Sequence, residues 1–90
     1  MKIKHWQGYG SVEAKRISSH KNGSTYDVTI KVKGNHEYGI HRDDRYDIVR
    51  WLGKVEKNLT NERQIVSCEL TDGYEDGVET CLYHIVYRIL

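Results

Sequence analysis

The segment Thr25–Lys33 constrains the fold more than any other part of the chain. Tyr26, Val28, Ile30 and Val32 alternate with Asp27, Thr29 and Lys31. A period of two turns every second side chain to the same side of an extended backbone, so this segment predicts a strand with one buried face. Lys21-Asn22-Gly23-Ser24 stands just before it. An Asn-Gly pair tolerates positive φ at both central positions of a type I′ turn, so residues 11–19 are expected to pair back as a first hairpin. In that partner Val12, Ala14 and Ile17 alternate only roughly, which predicts a bulge or an edge position.

Downstream the period changes. Asp43 and Asp44 offer N-caps, Asp47 favours the positive end of the helix dipole, and Ile48, Val49, Leu52 and Val55 recur at helical spacing. The spacing predicts a helix over 44–57, with Trp51 beside its apolar stripe and Gly53 marking a close approach to the sheet. Residues 64–71 and 78–90 then read as two strands joined through Asp72-Gly73-Tyr74-Glu75-Asp76-Gly77, a second hairpin. The expected fold is α+β in a ββαββ order, an antiparallel sheet of two hairpins with one helix packed on one face. The last strand stays apolar through Ile89 and Leu90, which suits pairing or burial at a subunit interface.

Ninety residues suffice for one core and not for two. The stability such a core leaves after chain entropy is small, so a homo-oligomer is the expected state. The 14 lysines and arginines nearly balance 13 aspartates and glutamates, and no basic run is long enough to neutralise a stretch of phosphate backbone. Duplex nucleic acid is a poor partner for such a chain. No apolar stretch is long enough to span a bilayer, and Met-Lys-Ile-Lys-His lacks the apolar core of a secretion signal, so no membrane association and a cytoplasmic location are expected. The sequon Asn58-Leu59-Thr60 carries no weight in that compartment.

Catalytic and metal motifs are absent. His36-Glu37-Tyr38-Gly39-Ile40-His41 places its histidines five apart instead of the four that share a helical face. Asp72-to-Glu79 lacks the every-second-residue oxygens of a calcium loop. Cys68 and Cys81 fall opposite each other if the second hairpin closes about Tyr74-Glu75, and in a reducing compartment two buried thiols are the expectation. No cofactor and no metal are expected. The tightest acid–base group is His41, Arg42, Asp43, Asp44 and Arg45, which suits either a small nuclease or a solvated helix start. A binding protein is therefore expected ahead of an enzyme.

The aromatic inventory points the same way. Seven tyrosines and two tryptophans accompany no phenylalanine, so every ring carries a polar handle suited to half-buried positions, interfaces or ligand walls. In Lys4-His5-Trp6-Gln7-Gly8-Tyr9-Gly10, Gly8 and Gly10 permit close backbone approach, Trp6 and Tyr9 offer stacking faces, and Gln7 both donates and accepts. Trp6 also suits a core anchor, with Gly8 and Gly10 in a bulge. If the helix start lies nearby, His41, Arg42 and Arg45 supply an anion clamp beside that ring clamp, a combination that fits a small nucleotide.

The opening Met-Lys-Ile-Lys-His-Trp-Gln-Gly-Tyr-Gly, the central Gly34-Asn35-His36-Glu37-Tyr38-Gly39, and the late Asp72-Gly73-Tyr74 and Val78-Glu79-Thr80-Cys81 resemble small proteins encoded by phages and prophages of Gram-positive bacteria. That resemblance implies a counter-defence factor acting inside the host cell. The leading expectation is a protein that sequesters a nucleotide-derived immune signal, of cyclic dinucleotide or ADP-ribose type, without cleaving it. The alternative is an inhibitor that docks on a host defence protein such as a CRISPR nuclease, using exposed tyrosines and the acidic Glu75 and Asp76.

Overall fold

The structure, a computed structural model, describes residues 1–4, 10–34 and 45–89, the side chains of 45–47 excepted. Among the described residues five strands form one antiparallel sheet: β1 (Lys2–Lys4), β2 (Ser11–Asn22), β3 (Thr25–Lys33), β4 (Ile65–Glu75) and β5 (Val78–Arg88). One short α-helix, α1 (Arg45–Leu52), and a single 3₁₀ turn at Glu62–Gln64 lie between β3 and β4 among the described residues. Across the sheet the order is β1-β2-β3-β5-β4. The α+β reading therefore stands, but the ββαββ order does not. A further strand, Lys-Ile-Lys, precedes the first hairpin, and it is too short for periodicity to reveal.

The first hairpin turns one residue later than its Asn-Gly pair suggests. Asn22 pairs with Thr25, so Gly23 and Ser24 occupy the tip, and only Gly23 has positive φ, at 63°. Positive φ at the first central position alone is the pattern of a type II′ turn, the other primed turn that suits strand twist. The irregular spacing of residues 11–19 is absorbed by a bulge between Arg16 and Ser18, which leaves Ile17 49% exposed.

The second hairpin also turns late. Glu75 pairs with Val78, and Asp76 and Gly77, at φ 54° and 77°, form the tip with positive φ at both positions. In this register Cys68 lies across from Ile85 and Cys81 from Asp72. The two cysteines are therefore not opposite each other, and neither is bridged in a disulfide.

The core lies on one face of the sheet. Val28, Ile30 and Val32 of β3 face Ile85, Tyr83 and Cys81 of β5, with Val12 and Ala14 of β2 and Ile3 of β1 beside them. Ile48, Trp51 and Leu52, at i, i+3 and i+4 on α1, close over this face; full burial of each side chain contributes roughly 1.5–3 kcal/mol. Trp51 is central to the core, 2% exposed and edge-on to Tyr83 at 5.9 Å, rather than beside the stripe.

The helix ends five residues short of its expected limit, at Leu52. A Cβ on Gly53 would meet the Val49 carbonyl oxygen at 2.4 Å and that of Leu59 at 2.9 Å, so the close approach is to the returning chain and not to the sheet. That return is pinned by Gln64, which is buried. Its Oε1 accepts from the Thr60 and Asn61 amides, both at 2.7 Å, and its Nε2 donates to the carbonyls of Asn58 and Arg88 at 2.8 and 3.0 Å.

Candidate functional site

With α1 on one face, the halves of the strands turned away from the core form the other, open face of the sheet. Its side chains are half-exposed or exposed from Asp27 to Lys33 on β3, and at Leu82, His84 and Val86 on β5. Register brings four lysines together at one end. Glu13 of β2 pairs with Lys2 of β1 on one side and Lys33 of β3 on the other, and Lys15 pairs with Lys31 one step further along. Lysines alternating with apolar residues on β3 thus converge with those on β1 and β2, although no basic run exists in the sequence.

Two shallow recesses run along this end. The first, about 200 Å³, is lined mainly by Lys2, Glu13, Lys33, Gly34, Asp76 and Val78. The second, about 240 Å³, is lined by Glu13, Lys15, Lys31, Lys33 and Glu75. Glu13 and Lys33 belong to both, so the two are adjacent. Three carboxylates stand against the four lysines: Glu75 is ion-paired with Lys31, and Asp76 lies 3.8 Å from Lys33. The hydrogen bond and charge of Lys31, with a smaller effect from Lys33, hold the Glu75 carboxyl below its ordinary range.

Of the residues that the sequence singles out for binding, Gly10 is described. It is exposed, has φ 86°, and leads directly into β2, a left-handed conformation that explains the glycine without a ligand. Trp6, Gln7, Gly8 and Tyr9 lie outside the described residues, as do His41 and Arg42. Arg45 is described only as the first backbone position of α1. Three of the described residues that border these segments, Lys4, Gly10 and Gly34, are nevertheless close. Lys4 pairs with Ser11 at the start of β2, and Gly34 follows Lys33 on the other side of the same strand, its amide donating to the Glu79 carbonyl at 2.8 Å. Lys4, Gly10 and Gly34, which border residues 5–9 and 35–44, thus lie at the lysine-bearing end of the sheet.

The remaining polar clusters serve other purposes. Tyr83 and Tyr87 are fully buried and fill the core, whereas Tyr74, 79% exposed near the β4–β5 turn, fits the expectation of a surface ring. Glu56 is 4% exposed; it accepts from Tyr87 Oη at 2.6 Å and from Arg16 at 3.1 Å, tying the segment after α1 to β2 and β5. On the open face Asp27 and His84 bond each other. Among the described residues no three histidine, cysteine, aspartate or glutamate side chains are grouped to hold a metal ion, and no helix is long and apolar enough to cross a membrane.

Lys2, Glu13, Lys15, Lys31 and Lys33 are not among the binding residues expected from sequence. The signal that points to them is the polar half of the alternation in Thr25–Lys33, together with Glu13 and Lys15 two apart in the facing strand. No protein-family model matches the chain, and neither a curated protein nor a solved structure is detectably similar to it.

Proposed function

We propose that this protein binds a small nucleotide-type anion stoichiometrically and releases it unchanged. The observation that carries this is the gathering of Lys2, Lys15, Lys31 and Lys33 on an open sheet face, at the end where Lys4, Gly10 and Gly34 border the segments holding Trp6–Tyr9 and His41–Arg42. Ammonium groups on a solvent-facing sheet attract phosphate. The resemblance to phage and prophage proteins sets the finer reading: sequestration of a nucleotide immune signal in the bacterial host cytoplasm, by an oligomer of this chain. Glu75 and Asp76 fold back toward Lys31 and Lys33, which favours a small ligand over docking of an acidic loop on a basic protein partner.

The test is a thermal-shift screen against nucleotide second messengers and ADP-ribose derivatives, followed by chromatography of the heated mixture. A ligand at a hundred times its Kd adds about 2.7 kcal/mol of stability. For a domain of this size that raises Tm by roughly 10–20 °C. Recovery of the intact nucleotide supports capture. An altered nucleotide would mean catalysis, and the absence of any shift across the panel would turn attention to a protein target.

A further inference from the structure

Lys15 and Lys31 stand directly opposite each other on neighbouring antiparallel strands, and Lys33 follows two residues along on the same face. Like charges in directly opposed positions repel, because their Cβ atoms are only about 4.5–5.5 Å apart. A strand pair selected for stability alone would place a carboxylate or a threonine at one of them. The compensation here is partial: Glu13 stands opposite Lys33, Asp76 lies 3.8 Å from it, and Glu75, at the far end of β4, reaches over β5 to pair with Lys31. Glu75 reaches in where an external anion would bind, and Lys15 has no carboxylate within ion-pair distance among the described residues.

We infer that Lys15, Lys31 and Lys33 form the phosphate seat of the ligand, that Glu75 holds the seat in the empty protein, and that the ligand carries two adjacent phosphates, as in a pyrophosphate linkage. This rests on the reading of the site as nucleotide-binding and narrows it. The three lysines span one strand spacing, about 4.8 Å, by two residues along a strand, about 6.8 Å. Such a patch covers contiguous phosphates. The two separate phosphodiesters of a cyclic dinucleotide would need two separate seats. ADP-ribose-type ligands are therefore preferred, with the nucleoside end directed toward Lys2 and Gly34 in the adjacent recess. Displacement of Glu75 by the ligand has a direct consequence: removing its charge strengthens binding.

The experiment is isothermal titration of inorganic phosphate, inorganic pyrophosphate, adenosine, ADP-ribose and a cyclic dinucleotide into the full chain and into Lys15→Gln, Lys31→Gln and Glu75→Gln, each checked by circular dichroism for an unchanged fold. Pyrophosphate is expected to bind at least tenfold more tightly than phosphate, and ADP-ribose more tightly than either. Lys15→Gln should weaken pyrophosphate about tenfold, and Glu75→Gln should strengthen it several-fold. Equal binding of phosphate and pyrophosphate, or a Glu75→Gln variant that binds pyrophosphate more weakly, overturns the seat. If ADP-ribose or the cyclic dinucleotide binds but the lysine variants leave its affinity unchanged, the seat is wrong and nucleotide binding stands. If no nucleotide binds at all, both fail.

Discussion

Replacing Tyr87 with phenylalanine tests how the covered face is held together. The Tyr87 hydroxyl donates to Glu56 Oε1 at 2.6 Å, and Glu56 is 4% exposed with Arg16 as its other partner. The ring packs against Tyr26 at 5.9 Å, a contact that phenylalanine preserves, so Tyr87→Phe isolates the hydroxyl. A buried hydrogen bond to a charged acceptor contributes about 1.5–3 kcal/mol. In a domain of this length that lowers Tm by roughly 6–24 °C, which urea and thermal unfolding followed by circular dichroism will resolve. The same hydroxyl gives a pH signature. Burial first, then the hydrogen bond and charge of Glu56, push its pKa far above the ordinary value of 10.0. The fold thus favours the neutral phenol, while the unfolded chain ionises near pH 10. Tyr87 therefore contributes its full stability below that pH and loses it progressively above, at up to about 1.4 kcal/mol per pH unit. Tyr87→Phe should flatten that alkaline decline. A variant within about 0.5 kcal/mol of the parent, with an unaltered alkaline limb, would refute the role given to this bond.

Three further outcomes follow from the same packing. Gly53→Ala drives a methyl group into two backbone carbonyls and should destabilise by about 2 kcal/mol despite the better helix propensity of alanine; a neutral or stabilising result in urea unfolding would show that the return of the chain past Gly53 is wrong. Gln64→Leu strips the Thr60 and Asn61 amides and the Asn58 and Arg88 carbonyls of their shared partner and should cost about 2–4 kcal/mol, whereas Gln64→Glu keeps the acceptor and loses only the donated pair. Thiol titration should count two free cysteines, with half-buried Cys68 reacting first and buried Cys81 only on unfolding; a disulfide formed readily under mild oxidation would contradict the hairpin register.

The buried halves of the strands and the presence of a helix were legible in the sequence because burial writes its own period. Val28, Ile30 and Val32 are read without ambiguity, and the bulge at Ile17 shows as a break in that period. The turn of the second hairpin was not, because two Asp-Gly pairs compete: Asp72-Gly73 remains in β4, and only Asp76-Gly77 adopts the left-handed pair. That choice moved Cys68 away from Cys81. Helical spacing ran past Gly53 to Val55, because one apolar residue in a tight return satisfies the pattern without being helical. The pairing of β3 with β5 joins segments separated by the helix, and no local pattern encodes it. Here lies the reason the lysine face was hidden as well. A strand read alone shows which residues avoid the core, but the meeting of Lys2, Lys15, Lys31 and Lys33 depends on which strands become neighbours.

Amide chemical shifts recorded by ¹H–¹⁵N NMR during titration with ADP-ribose test the binding face most directly. The largest changes should fall on Lys2, Glu13, Lys15, Lys31, Lys33 and Gly34, with residues 48–59 on the opposite side of the sheet left in place. Spectra that stay unchanged at millimolar ligand, or that move only around α1 and the segment after it, would contradict a nucleotide site on the open face.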